Sequence, residues 1–176
     1  MKTLDKFEYF ARRIHQKLLH SAPQRASKFL LDNNTKEFGI SAKPQEHPFD
    51  LREIHSDIPP KVKKLFDDAH YDEAVFHACK FLDAFVGKHA PNTTSGRSRM
   101  MEAFKETNPI IALNSLSSTS EKDEQEGYKY LFAGTMIAIR NPRGHDLEFD
   151  NNPTACLDHL SLISGLLRRL NAAGFR

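Results

Sequence analysis

Arg140 and His145 stand five positions apart in the stretch AIRNPRGHD, residues 138 to 146, directly after an apolar run from Tyr130 to Ile139. The two residue types suit one chemistry. Arginine presents a flat, permanently charged fork that grips phosphate oxygens. Histidine exchanges a proton near neutral pH. Together they fit cleavage of an RNA phosphodiester by its own 2′-hydroxyl. The imidazole would activate the nucleophile or protonate the leaving oxygen, while the guanidinium holds the charge growing on phosphorus. Groups in comparable oxyanion sites contribute about 3–4 kcal/mol. The plainer reading is a polar helix terminus with a solvated histidine, and the spacing alone does not choose between them.

Other residues are candidates around this pair. Asn141 either orients His145 and contacts phosphate as a third catalytic residue, or makes local bonds at a helix end. Arg143, Lys80 and Arg169 are candidate RNA contacts, against the alternative of solvated or helix-end charges. Glu73 and His77 lie four apart on one helix face and either support the cleft or form a surface ion pair. The basic cluster Arg12, Arg13, Lys17 and Arg25 reads more simply as a solvated helix face. Nine histidines invite a metal reading, yet no HExxH, HxxxH or Cys-x-x-Cys spacing occurs, and PNTTSGRS lacks the lysine and spacing of a phosphate loop. No metal or cofactor is expected.

The elements that must position these residues are helical. Leu4, Phe7, Phe10, Ile14 and Leu18 mark an amphipathic N-terminal helix, and QRASKFLLD a shorter one. Residues 35–58 show no sustained period and read as a linker or arm. The chain then divides into an N-terminal helical extension with its linker, 1–58, and a main body, 59–176. In the body PPKVKKLFDDAH forms a helix opened by proline. The next, from Tyr71, carries Ala74, Val75, Ala78, Cys79, Leu82, Phe85 and Val86 on a wide apolar face. A short helix near SRMMEAFKE follows, then the apolar piece NPIIALN. Ser118 or Ser120 caps a helix that runs to Ile139, and a last helix spans roughly 154–172. Pro142 is expected to end the penultimate helix and force a turn, with Gly144 freeing the backbone so that His145 folds back toward Arg140. The fold class is all-α, a bundle of four main helices plus short ones.

The charge balance, 25 basic against 23 acidic residues and net +2, points to local rather than global contact with nucleic acid. Two cysteines, Cys79 and Cys156, in apolar helical surroundings suggest buried thiols and a reducing cytoplasm. No run approaches the ~20 apolar residues of a membrane span. The segment from Tyr130 to Ile139 is apolar almost all round, so it is expected to be central and also buried against a second subunit, with Met136 at the contact.

Two stretches, KLFDDAHYDEAVFHACKFLDAFV and NPIIALNSLSSTSEKDEQEGYKYLFAGTMIAIRNPRGHD, together resemble the Ymh-type hypothetical proteins, a family of small prokaryotic proteins in the HEPN superfamily of helical domains. The likeness covers about residues 59–173, through the final LLRRL. It implies a HEPN-like bundle whose signature (arginine, a polar residue, a short spacer, histidine) falls on Arg140, Asn141 and His145. Members with that signature include metal-independent ribonucleases of toxin and antiphage-defence systems, acting as homodimers with facing motifs and sometimes restrained by an antitoxin or another defence partner. The alternative implied by the same resemblance is a non-catalytic module that binds RNA or nucleotide, or scaffolds a defence complex.

Overall fold

The computed structural model describes residues 46–145 and 152–176, and every regular element among them is helical. The chain divides into two compact units, Met1–Lys43 and Pro44–Arg176. The helices expected near the N-terminus and their basic cluster lie outside the described residues. In the second unit α1 is Pro48–Leu51, α2 Pro60–Asp67, α3 Tyr71–His89, α4 Arg97–Ala103 and α5 Thr119–Gly134. A π-helical turn, Thr135–Arg140, leads into α6, Asn141–His145, and α7 is Pro153–Ala172.

The apolar spacing on α3 makes it the central helix, against which α2, α4, α6, α7 and the π turn all pack. Ala74, Val75, Ala78, Cys79, Leu82 and Val86 are buried on it, as their period requires. Phe85 is only partly covered, lying between Phe81 and His89. From α7 come Leu160, Ile163, Leu166, Leu167 and Leu170, all at 2% exposure or less.

The stretch 47–58, read above as part of a linker, belongs to this core. His47 caps α1 by accepting from the Phe49 amide at 3.0 Å. Phe49 and Ile58 are buried. Arg52 pairs with Asp158 at 2.8 Å, the His55 amide donates to Ser164 Oγ at 3.0 Å, and Arg168 donates to the Glu53 carbonyl. Such a segment shows no period because its few apolar side chains act as isolated anchors.

The start of α5 is a reciprocal capping box. Ser118 Oγ accepts from the Glu121 amide, and the Glu121 carboxylate accepts from the Ser118 amide. Four hydrogen bonds, first from the Ser117 and Ser115 hydroxyls and then from the Ser118 and Ser117 amides, hold Glu121 down to a pKa of about 2. Farther along α5, Gln125 is fully buried. Its Oε1 accepts from the Leu113 amide at 2.9 Å, and its Nε2 donates to the carbonyls of Ile111 at 2.9 Å and Phe104 at 3.3 Å. One side chain thereby satisfies the backbone of the apolar piece 109–114 as it crosses the core. Phe104 and Phe132 stack at 4.3 Å between centroids, tying α4 to α5.

Two expectations are corrected here. Within the protomer the apolar run is not buried all round. Phe132, Ala133, Met136 and Ile139 face inward, but Tyr130, Leu131 and Ile137 are 56%, 50% and 47% exposed. Met136 is wholly buried in the protomer's own core, so it is not an interface residue. Nor does Pro142 force a turn. Asn141 keeps helical angles, φ −65° and ψ −45°, and the backbone stays helical through His145. The helix accommodates the proline by widening just before it. The Asn141 amide bonds the Met136 carbonyl five residues back, loosening the turn where the proline ring would otherwise meet the carbonyl four residues back.

Candidate functional site

Arg140 closes the π turn and Asn141 opens α6, so both motif residues sit where the helix changes pitch. The Arg140 guanidinium is part-buried. It donates to Asn141 Oδ1 at 3.1 Å and lies over the Phe76 ring, 5.8 Å from its centroid. No carboxylate pairs with it among the described residues. Asn141 thus orients the arginine by direct contact. His145 is the last residue of α6, about 7.5 Å of helical rise beyond Arg140; the placement of its side chain, and all of Asp146, lie outside the described residues.

Lys80 comes to the same place from α3. Its ammonium sits 5.7 Å from the centroid of the Phe76 ring, and no ion pair engages it among the described residues. His77, one residue along from Phe76, is held below its ordinary pKa by burial first, then by Lys61 and Lys80. Lys61 and Lys80 thus both act on His77, against a smaller opposing effect of Glu73. Glu73 does not pair with His77; its carboxylate meets His70 Nδ1 at 2.9 Å, one turn earlier.

Arg143 has the opposite fate. Expected on the surface, it is turned inward, with its side chain 8% exposed. Nε bonds Asp72 Oδ1 at 3.1 Å, Nη1 donates to the Ile139 carbonyl at 3.0 Å, and Nη2 lies 3.5 Å from His159 Nδ1. A guanidinium only donates, so Nδ1 of His159 is the acceptor there. Burial, and then Arg143, keep that imidazole below its ordinary pKa, against smaller opposing effects of Asp158 and Asp72. This group bolts α6 to α3 and α7, and leaves Arg143 no freedom to reach a ligand. Arg169 is likewise engaged away from the motif. It bonds Glu124 at 3.0 Å and the Leu113 carbonyl at 2.9 Å, and covers the Tyr128 ring. Both thiols are inert. Burial pushes Cys79 and Cys156 up to about 12, only partly offset by neighbouring arginines.

Gly144 is helical, so its role is not the conformational freedom expected of it. A β-carbon there would make ordinary van der Waals contact with the Phe76 ring at 3.4 Å, so the position borders that ring. Reading the sequence missed Phe76, Asp72 and His159. Phe76 had one signal, its position four residues before Lys80 on the same face. The other two are helix residues whose partner, Arg143, is 71 and 16 positions away.

A cavity of about 430 Å³ lies at the opposite end of α5, beside Glu106, Lys122, Asp123 and Glu126. Lys122 is roughly 27 Å from Arg140 by helical rise. Three of its eight lining residues are acidic and one is basic, which disfavours phosphate, so the cavity is not the counterpart of the cationic end. Among the described residues no three His, Cys, Asp or Glu side chains are grouped as metal ligands, and no helix is long and apolar enough to cross a membrane.

No curated protein and no solved structure matches the chain. A family profile does: residues 52–170, from the turn after α1 to the last turn of α7, match the family described as Protein of unknown function (Hypoth_ymh). The matched segment carries α3, the π turn and α6 together, and the chain belongs to the Hypoth_ymh family.

Proposed function

We propose that this protein is a metal-independent endoribonuclease of the HEPN type, working as a homodimer, of the kind employed by toxin and antiphage-defence systems. The observation that carries the reading is the contrast between two arginines three residues apart. Arg143 is neutralised by Asp72 and buried, whereas Arg140 is held by Asn141 and Phe76 without a carboxylate among the described residues. A cation kept in place with no carboxylate partner among the described residues is suited to an anion from outside.

In this mechanism His145 of one protomer removes the proton from the ribose 2′-hydroxyl. The 2′-oxygen bonds to phosphorus and the bond to the 5′-oxygen breaks. That oxygen takes a proton from the partner's His145, leaving a 2′,3′-cyclic phosphate and a 5′-hydroxyl end. Arg140 faces the charge that builds on the non-bridging oxygens. A two-fold axis beside the motif supplies the second histidine. Tyr130, Leu131 and Ile137, exposed on the helix leading to Arg140, supply the contact.

The test is incubation of the full chain with RNA, with and without EDTA. Cleavage that survives chelation, yields cyclic phosphate ends and disappears in His145→Ala supports the proposal. Retention of cleavage by His145→Ala, or its abolition by EDTA, overturns it.

A further inference from the structure

Phe76 lies beside three described residues of the cationic site. Arg140 from the π turn and Lys80 from α3 lie 5.8 Å and 5.7 Å from the same ring centroid. Gly144 borders the same ring, where an added β-carbon would make ordinary contact at 3.4 Å. Two like charges drawn toward one point repel each other. A ring whose electron-rich surface attracts cations offsets part of that repulsion and limits where each head group can go. Two basic side chains from different helices thus each lie beside the same ring, and neither pairs with a carboxylate among the described residues.

We propose that Phe76 is a positioning residue that sets Arg140 and Lys80 as a paired cradle for adjacent phosphates of a single RNA strand. The inference rests on the ribonuclease reading for the identity of the anion, and extends it to a second phosphate and to the residue that orders both cations. Lys61 adds to the field at the near edge, since it and Lys80 together disfavour protonation of His77. The strand enters across α3 and meets Lys80 before Arg140. Its register against the motif is then set by a side chain that touches no substrate atom.

The experiment measures binding separately from cleavage. A 2′-O-methyl oligoribonucleotide carries the phosphates but no attacking hydroxyl. Its affinity for the full chain is measured by anisotropy across a range of salt. Each phosphate contact on a single strand contributes about 0.7 to the slope of log affinity against log salt. Lys80→Gln should lower the slope by about that amount, and Phe76→Leu by more, because both cations lose their station. Phe76→Tyr should restore the wild-type slope, a rescue that a purely space-filling role does not require of an aromatic. Phe76→Met replaces the leucine variant if that one fails to fold. An unchanged slope in Lys80→Gln, an unchanged slope in a folded Phe76→Leu or Phe76→Met, or no binding by the wild type overturns the cradle. Parallel incubation with ordinary RNA keeps the two proposals apart. Cleavage with unchanged slopes sinks only the cradle, and altered slopes without cleavage sink only the ribonuclease.

Discussion

The Arg143 guanidinium meets the Asp72 carboxylate at 3.1 Å, with the two side chains 8% and 24% exposed. The pair joins α6, the short helix that carries Asn141 and His145, to the first turn of the central helix. Its third partner, His159, brings in the last helix at 3.5 Å. The position of Arg140 therefore depends on an arginine that never faces the solvent.

Replacing Arg143 with methionine keeps much of its apolar stem but strands the Asp72 carboxylate. Breaking a buried ion pair costs about 3–5 kcal/mol, less where one partner retains some water. The expected loss is about 3 kcal/mol by urea denaturation. Asp72→Asn/Arg143→Met should recover part of it. A single Arg143→Met variant as stable as wild type would show that the pair does not fasten α6.

Gln125→Ala removes the acceptor of the Leu113 amide and the donors to the Ile111 and Phe104 carbonyls. Three backbone groups are left unsatisfied in a fully buried place. Each such group costs about 1–3 kcal/mol. A loss of about 3 kcal/mol is expected, with amide exchange at Leu113 becoming fast. Slow exchange at Leu113 in the variant would exclude this role.

Leu131→Glu and Ile137→Glu place charge on exposed positions, so each protomer should keep its fold within about 0.5 kcal/mol. On the proposed dimer, sedimentation should find the wild type dimeric and the variants monomeric, with the proposed RNA cleavage falling in step. An active monomer would contradict a composite site. Met136→Glu is not a usable probe, because that side chain is fully buried in the core.

Stability should fall with acid in two stages. His77 and His159 have pKa values held below 6.5 by burial first and nearby cations second. Below pH 6.5 the unfolded chain takes up protons that the folded chain resists, so stability present above that pH drains away as pH falls. Glu121 is depressed from 4.5 to about 2, so the support it gives the start of α5 is complete above pH 4.5 and is lost toward pH 2. Denaturant midpoints measured from pH 8 to pH 3 should decline below 6.5 and again below 4.5. In a His77→Gln/His159→Gln variant the first decline should flatten; its persistence would assign that stage to other groups.

The helices were legible in the sequence because their signals are local. The 3.6-residue period of Ala74, Val75, Ala78, Cys79, Leu82 and Val86, the proline opening α2, and Ser118 with Glu121 three residues on each act within a few turns of one helix. The RNPRGH motif was equally visible as a set of residue types. Its backbone was not. Proline and glycine are ambiguous punctuation, and only packing against α3 decided that the helix should widen at Thr135–Arg140 and continue, rather than turn.

The sequence by itself determined that the chain is helical and where its apolar faces lie. It also placed an arginine, an asparagine and a histidine around the end of one apolar run. Tertiary structure alone decided which arginine is paired with a carboxylate and which has none among the described residues. That choice depends on Asp72, 71 positions before Arg143, and on Phe76, which is shared by Arg140 and Lys80. Charge pairing and ring contact act over a few ångströms of space, and only the packing of α3, α6 and α7 brings those residues within that reach.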